Sequence, residues 1–531
     1  MGFRIGFITL TFGLLYGALA FNIYNLQVTK GDYYSARAEA LSPENILPPR
    51  GDIYFTDKNG AAIPAAVNRD YPTIYANTSK VGNIGETAEI LSGITGINKE
   101  RLVEIVSKPN DPYEPILKRA TKEQVDSLKE AKLSGIGTVN EGYRFYPFGS
   151  SASHALGFVS INAADTRGIY GAEAYYEERL SGYERGTADK DIQLTLDREI
   201  QSQAEVIIEN LIKKYNAEGG TVIVQNPKTG AILAMASFPD FDPNNYSDFK
   251  IERFLNPAVQ AVYEPGSSFK IFTVAAGIDS GKITPNTTFY DSGSITLNGR
   301  TIKNWDEKAH GQVTATNILE KSLNTGTAMI EQKIGHDIFY DYLVKFDFKE
   351  RTNIDLPAEV AGSLRTLENN SRDVNFATAS FGQGVSVTPI SLIKATSAIA
   401  NGGVLMQPYI NEEIEPKEIR RVISRESAKT VAEMMVSAVD KAEIAKISGY
   451  SVAGKTGTAQ VPDFNRGGYT DSVINSYVGF APAYDPQFVI LIKLDKPAGA
   501  PLAGLTVVPA FRELASFILN YYNIPPDRVQ E

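Results

Sequence analysis

The chain contains no cysteine in its 531 residues. Disulfides, thiolate metal sites and cysteine nucleophiles are therefore excluded together. Histidine is nearly as scarce: His154, His310 and His336 are the only three. None stands at ligand spacing from a second candidate, which argues against a metal site. A Ser-His-Asp triad would have to recruit one of them, and no nucleophile-elbow motif supports it. A basic excess is also missing. The net charge of −10 argues against an extended nucleic-acid surface. No fixed-period repeat or low-complexity tract interrupts the sequence. What remains is an ordinary globular composition, 43% hydrophobic and 21% charged, long enough for roughly two to four domains.

With histidine so rare, lysine is the base most available to activate a hydroxyl. Tyr263-Glu264-Pro265-Gly266 leads directly into Ser267-Ser268-Phe269-Lys270. A serine hydroxyl needs a base within hydrogen-bond reach to act as a nucleophile. On a helix, residues i and i+3 are neighbours and i and i+2 are not, so Lys270 pairs with Ser267 and Ser268 faces elsewhere. The same spacing recurs at Ser391-Leu392-Ile393-Lys394, on a helix expected to start near Pro389. Spacing alone does not choose between them.

The amino terminus is directed to a membrane. No charge falls between Arg4 and Lys30, and Ile5 to Ile23 is predominantly apolar. About twenty helical residues at 1.5 Å each cover the ~30 Å hydrocarbon core. Ala18-Leu19-Ala20 has the form of a leader cleavage site, but apolar character continues through Phe21, Ile23 and Leu26, which favours an anchor. The expectation is a short cytoplasmic tail at 1–4 and a transmembrane anchor at 5–25, N-in, with the remainder exported.

Residues 30–190 read as a mixed α/β unit. Leu47 to Tyr54 forms a turn leading into a strand, and Asp57-Lys58-Asn59-Gly60 a hairpin turn. Helical stretches follow near 86–107 and 121–132, the second opened by the capping-type start Thr121-Lys122-Glu123-Gln124. A turn-rich stretch from Gly168 to Gly186 leads to a second unit at 191–525. There the pattern predicts an amphipathic helix at 197–214, a strand from Gly220 to Val224, a turn at Asn226–Gly230 and a strand at Ala231–Met235. A mostly helical middle runs to about 440, then strands at 451–460, 475–482 and 487–495 precede a helix at 508–522. Strands at both ends of a helical middle predict an α+β fold with one antiparallel sheet flanked by helices.

Two more triplets lie downstream of Ser267: Ser322-Leu323-Asn324 between helical segments, and Lys455-Thr456-Gly457 on an expected strand, continuing to Thr458. Each has a decoy, Ser160-Ile161-Asn162 and Lys228-Thr229-Gly230. Only the set at 267, 322 and 455 runs in the order Ser-x-x-Lys, Ser-x-Asn, Lys-Thr-Gly. That trio resembles the serine acyl-transferases of the penicillin-binding protein and β-lactamase superfamily. Its context resembles a class B penicillin-binding protein, a peptidoglycan D,D-transpeptidase. Further similar stretches are Asn304-Trp305 with His310-Gly311, Phe381-Gly382-Gln383-Gly384, Gly454 to Gln460, and Val478-Gly479-Phe480-Ala481-Pro482. Arg50-Gly51-Asp52-Ile53 and Gly168 to Gly186 resemble the family's N-terminal pedestal, with dimerisation-like character. Ser268 stands where threonine is commoner, and Phe55-Thr56 lengthens a turn that is usually shorter; neither touches the chemistry.

The resemblance implies Ser267 as nucleophile and Lys270 as its general base. A lysine at its reference pKa is neutral in about one molecule in 2,500 at pH 7, so a second cation, Lys455, would help by destabilising the charged form. Ser322 would relay protons. Lys455, Thr456 and Thr458 would hold a terminal carboxylate, Asn324 would donate to a peptide carbonyl, and Gly457 would admit the substrate strand to the sheet edge. The implied oxyanion hole is the backbone N–H groups of Ser267 and Thr458. The substrate would be the D-Ala-D-Ala stem peptide of peptidoglycan, β-lactams would acylate the same serine, and no metal or organic cofactor is implied.

Ala453 to Gln460 and the stretch Val508-Pro509-Ala510-Phe511 look more like division-type than elongation-type members. The implied membrane partner is a polytopic SEDS-type glycosyltransferase, together with other division or elongation membrane proteins. A secreted β-lactamase or carboxypeptidase would need neither anchor nor pedestal. A non-catalytic β-lactam sensor or divisome scaffold would not need all of Ser267, Lys270, Ser322, Asn324 and Lys455. The expected location is the bacterial plasma membrane, with the catalytic domain extracytoplasmic.

Overall fold

Two five-stranded sheets organise the chain. The structure, a computed structural model, describes residues 50–109, 111–160, 167–182, 190–369, 371–463, 466–499 and 502–528, with positions 16, 17, 19, 21 and 24. The tail at 1–4 and most of the expected anchor lie outside the described residues, as do Leu47 to Pro49, Ile161, Asn162 and 183–189. Among the described residues no helix is long and apolar enough to cross a membrane.

The first sheet holds β1 (Ile53–Thr56), β2 (Ala62–Ala76), β3 (Glu114–Leu117), β4 (Ile136–Phe145) and β5 (Ile192–Asp197), in the order β3-β2-β1-β5 with β4 also on β2. The β1–β2 hairpin closes at the expected turn. Asp57 Oδ1 accepts from the backbone N–H groups of Asn59 and Ala61, each at 2.8 Å. Helices α1 (Ile84–Thr95), α2 (Lys99–Val106) and α3 (Lys122–Ala131) bury Leu91, Leu102 and Leu128 in one cluster with Ile74. The single helical stretch expected at 86–107 is thus two helices. Gly96, at φ 73°, ends α1, and the Asn98 side chain caps α2. Both helices feed the same apolar cluster, so hydrophobic periodicity runs across the break. The expected capping box at Thr121 and Gln124 opens α3.

A buried carboxylate ties Arg50 to this unit. Glu173 accepts from Arg50 Nε and Arg144 Nε, both at 2.6 Å. Burial would raise the Glu173 carboxyl; the guanidiniums of Arg144 and Arg50 overcome it and hold it below its usual range. The expected division at 190/191 falls just before β5. That strand runs parallel to β1, yet its Thr195 N–H donates to Ile410 O at 2.7 Å.

The second sheet contains β6 (Gly219–Gln225), β7 (Ile232–Phe238), β8 (Ala453–Pro462), β9 (Tyr469–Ala481) and β10 (Phe488–Asp495). Its order is β8-β9-β10-β6-β7, with every neighbouring pair antiparallel. The longer helices around it are α4 (Arg198–Tyr215), α5 (Lys270–Asp279), α6 (Asn324–Ile334), α7 (Pro389–Ala400), α8 (Arg425–Ala442) and α9 (Val507–Tyr521). In α4 the buried positions Ile200, Ala204, Ile207, Ile208 and Leu211 form one stripe, and the Asp197 carboxylate caps Glu199 and Ile200 N–H. With α9 this stripe covers one face of the sheet. Helices α5, α7 and α8 fill the other, and α7 is buried on nearly every side. The outcome is the expected α+β architecture.

The middle of the chain is less helical than its sequence suggests. Thr288–Asp291 pairs with Gly311–Thr314, Ser294–Leu297 with Arg300–Lys303, and Val404–Met406 with Glu418–Arg421. Strands of three or four residues are too short to display a period of two.

Candidate active site

The sequence Pro265-Gly266 places a tight turn against the edge strand β8. Gly266 has φ 58° and donates its N–H to Gly382 O at 3.1 Å. A Cβ there would lie 3.0 Å from Ala459 Cβ and from Thr458 O, so only glycine lets the turn approach β8 this closely. Gly266–Phe269 is a single 3-10 turn running into α5. Ser267 is half-buried on that turn. Ser268 is buried and donates its hydroxyl to Pro265 O at 2.8 Å, so it points into the protein.

Lys270 opens α5 and is fully buried. Its Nζ meets Ser322 O at 2.5 Å, Asn324 Oδ1 at 2.8 Å and Ser322 Oγ at 3.3 Å. Ser322 follows the short helix Ala315–Glu320 in a left-handed conformation, φ 57°. From the other side Lys455 Nζ donates to Ser322 Oγ at 3.0 Å, Thr456 Oγ1 at 3.1 Å and Thr456 O at 3.2 Å. One hydroxyl oxygen therefore stands between two buried lysine nitrogens. A neutral amine has two N–H groups and one lone pair. Lys270 can give the two to Ser322 O and Asn324 Oδ1 and keep the lone pair for a hydroxyl proton. Among the described residues its three hydrogen-bond partners do not include Ser267 Oγ.

Both amines are unusually acidic. Burial, and then the neighbouring charge of Lys455, push Lys270 well below the ordinary lysine range. Burial alone brings Lys455 down to about 7.

The hydroxyls on β8 are pre-set as donors. Thr456 Oγ1 accepts from Lys455 Nζ, and Thr458 Oγ1 accepts from Ala503 N at 3.3 Å. Each keeps its one hydrogen to donate, and a carboxylate can only accept. Asn324 has already spent one N–H on Lys303 O at 2.9 Å, leaving the other for a ligand. Gly457 has a packing requirement as well: a Cβ would sit 2.3 Å from Ser476 Oγ and 2.7 Å from Pro265 O. Ala503, on the loop before α9, carried no sequence signal because its contribution is a backbone N–H.

Two of the decoys, at 391–394 and 228–230, resolve on structure. Lys394 is fully buried and donates to Asp347 Oδ2 at 2.6 Å. Its charge is spent on an ion pair, which leaves Ser391 without a base. Lys228 forms an exposed pair with Asp485.

The family follows from the length of the match. The sequence profile of the penicillin binding protein transpeptidase domain matches residues 220–515, and that of the penicillin-binding protein dimerisation domain matches 45–203. The chain is a class B penicillin-binding protein. It is 34% identical to Stage V sporulation protein D of Bacillus subtilis, across 94% of this chain and 83% of that one. It is 28% identical to peptidoglycan D,D-transpeptidase FtsI of Escherichia coli, across 95% and 88%. Among solved structures, penicillin-binding protein 3 of Mycobacterium tuberculosis bound to aztreonam superposes with a TM-score of 0.70 at 28% identity, covering 91% of this penicillin-binding protein and 99% of that chain.

Proposed function

We propose that this penicillin-binding protein is a peptidoglycan D,D-transpeptidase that cross-links stem peptides in septal wall synthesis through a Ser267 acyl-enzyme. The observation that supports the chemistry most directly is the Ser322 hydroxyl, 3.3 Å from Lys270 Nζ and 3.0 Å from Lys455 Nζ. Neutral Lys270 takes the Ser267 proton as Oγ attacks the penultimate D-Ala carbonyl. The N–H groups of Ser267 and Thr458 receive the developing oxyanion. As the C–N bond breaks, the proton passes through Ser322 to the leaving amine, and D-alanine departs. An amine from a neighbouring stem peptide then attacks the ester, the new amide forms, and Ser267 regains its proton. Lys455 with Thr456 and Thr458 binds the terminal carboxylate, and Asn324 orients the donor peptide.

A β-lactam would acylate Ser267 through the same first half. Residues 5–25 would hold the enzyme in the plasma membrane with the catalytic domain outside, beside a SEDS-type glycosyltransferase. The septal assignment is supported by the likeness to FtsI of E. coli; a tagged copy on the side wall would refute it. Fluorescent penicillin tests the chemistry. Wild type and Ser391→Ala should label, and Ser267→Ala should not. Label on Ser267→Ala, or none on wild type, overturns the proposal.

A further inference from the structure

Three consecutive residues grip both ends of the loop that carries Ser322. Lys303 O accepts from Asn324 Nδ2 at 2.9 Å. Asn304 Oδ1 accepts from Thr325 N at 3.2 Å and from Thr325 Oγ1 at 2.9 Å. Trp305 Nε1 donates to Lys321 O at 3.0 Å. Contacts thus fall on residue 321 before the serine and on 324 and 325 after it. Asn304 is itself fixed from behind, its Nδ2 donating to Asp291 Oδ2 at 2.8 Å and to Lys308 O at 3.1 Å. Asp291 is fully buried, and its Oδ1, 2.7 Å from Thr325 Oγ1, shares that hydroxyl's single hydrogen with Asn304 Oδ1.

Ser322 needs such a hold. A non-glycine residue at φ 57° sits in a sparsely populated backbone region that persists only when its surroundings over-determine it. Its neighbouring carbonyls lie past a helix end, where they lack intrahelical partners. The indole takes the one at Lys321, and Lys270 takes the one at Ser322.

We propose that Lys303-Asn304-Trp305 is a positioning clip for the proposed relay serine, and that it keeps Lys270 dry enough to be a base. The inference rests on the acyl-transfer reading of the site. Trp305 acts through its hydrogen bond to Lys321 O, next to Ser322. Because the residue is 60% exposed, Trp305→Phe removes the N–H without removing core volume. Loosening the loop admits water to Lys270, and rehydration favours the charged amine. The charged group facing Lys270 is Lys455, from β8, and its repulsion is retained in the variant.

The test is the pH profile of acylation by benzylpenicillin in wild type, Trp305→Phe and Tyr290→Ala. Tyr290 is an exposed residue outside the clip, on the Thr288–Asp291 strand that pairs with Gly311–Thr314. Trp305→Phe should lower the saturating acylation rate by up to about 10-fold on the acid limb of the profile, with the half-saturating concentration within about twofold. Its acid limb should move up by about one pH unit, so that the deficit closes at alkaline pH. Tyr290→Ala should match wild type. A pH-independent loss, or an equal loss in Tyr290→Ala, overturns the clip. Independently of activity, the NMR titration of 13Cε-lysine should show Lys270 raised in Trp305→Phe, and an unmoved titration also overturns it. A wild type that forms no adduct would count against the acyl-transfer reading, while the lysine titration still decides the clip.

Discussion

Replacing Lys455 by methionine removes a charge from beside Lys270 while keeping most of its volume. Both lysine nitrogens hydrogen-bond the one Ser322 oxygen, at 3.3 and 3.0 Å, so they are at most about 6.3 Å apart. Two unit charges at that separation repel by about 2.6 kcal/mol at an effective dielectric constant near 20, or about two pKa units. Below pH 7 Lys455 carries its charge, so it is there that Lys270 feels the repulsion. In Lys455→Met the acid limb of penicillin acylation, followed by stopped flow from pH 5 to 10, should rise by about two pH units. The half-saturating concentration should rise about 10- to 100-fold as a charge-assisted carboxylate contact is lost. The two effects separate because one appears in the saturating rate and the other in its concentration dependence. An acid limb that stays in place would show that Lys455 does not tune Lys270, and the two-lysine argument would fail.

Stability should rise with pH across the window from about 7, the folded value of Lys455, to its ordinary 10.5, because there the unfolded chain binds the extra proton. The span is worth on the order of 4–5 kcal/mol, and urea unfolding at successive pH values should show the slope reduced in Lys455→Met. Lys394→Met should leave the buried Asp347 carboxylate with only its longer contact to Arg420 Nη1, at 3.5 Å, and destabilise the fold by about 3 kcal/mol, while Ser391→Ala should label with penicillin like wild type; loss of label there would reinstate the second Ser-x-x-Lys. Gly457→Ala should cost about 1–3 kcal/mol through overpacking against Ser476 and Pro265 and slow acylation, measured by melting temperature and labelling rate. Trp305 is the only tryptophan and lies one hydrogen bond from the Ser322 loop, so its emission should change in step with acylation of Ser267; a silent tryptophan would mean that the loop does not respond.

Much of the site was legible as local pattern. The i, i+3 relation of Ser267 and Lys270 needs only helical geometry, and Pro265-Gly266 announces the turn before it. The strand carrying Lys455 to Thr458 shows in its run of small and apolar residues, and the Asp57–Gly60 and Thr121–Gln124 signals formed as side-chain chemistry requires. The breaks at Gly96 and at the short strands near 288–314 were hidden, the first by a shared apolar cluster and the second by brevity. Gly457 is instructive, since its sequence position suggests room for a ligand while its Cβ space is also filled by Pro265 and Ser476.

By itself, then, the sequence determined the residue types, their order and which residues lie within one helical turn of each other. Only the tertiary structure decided that Lys270 and Lys455 share the Ser322 oxygen, that burial makes both amines acidic, and that the otherwise similar Lys394 is spent on Asp347. Those outcomes depend on desolvation and on contacts between residues far apart in the chain, and neither is encoded in local spacing.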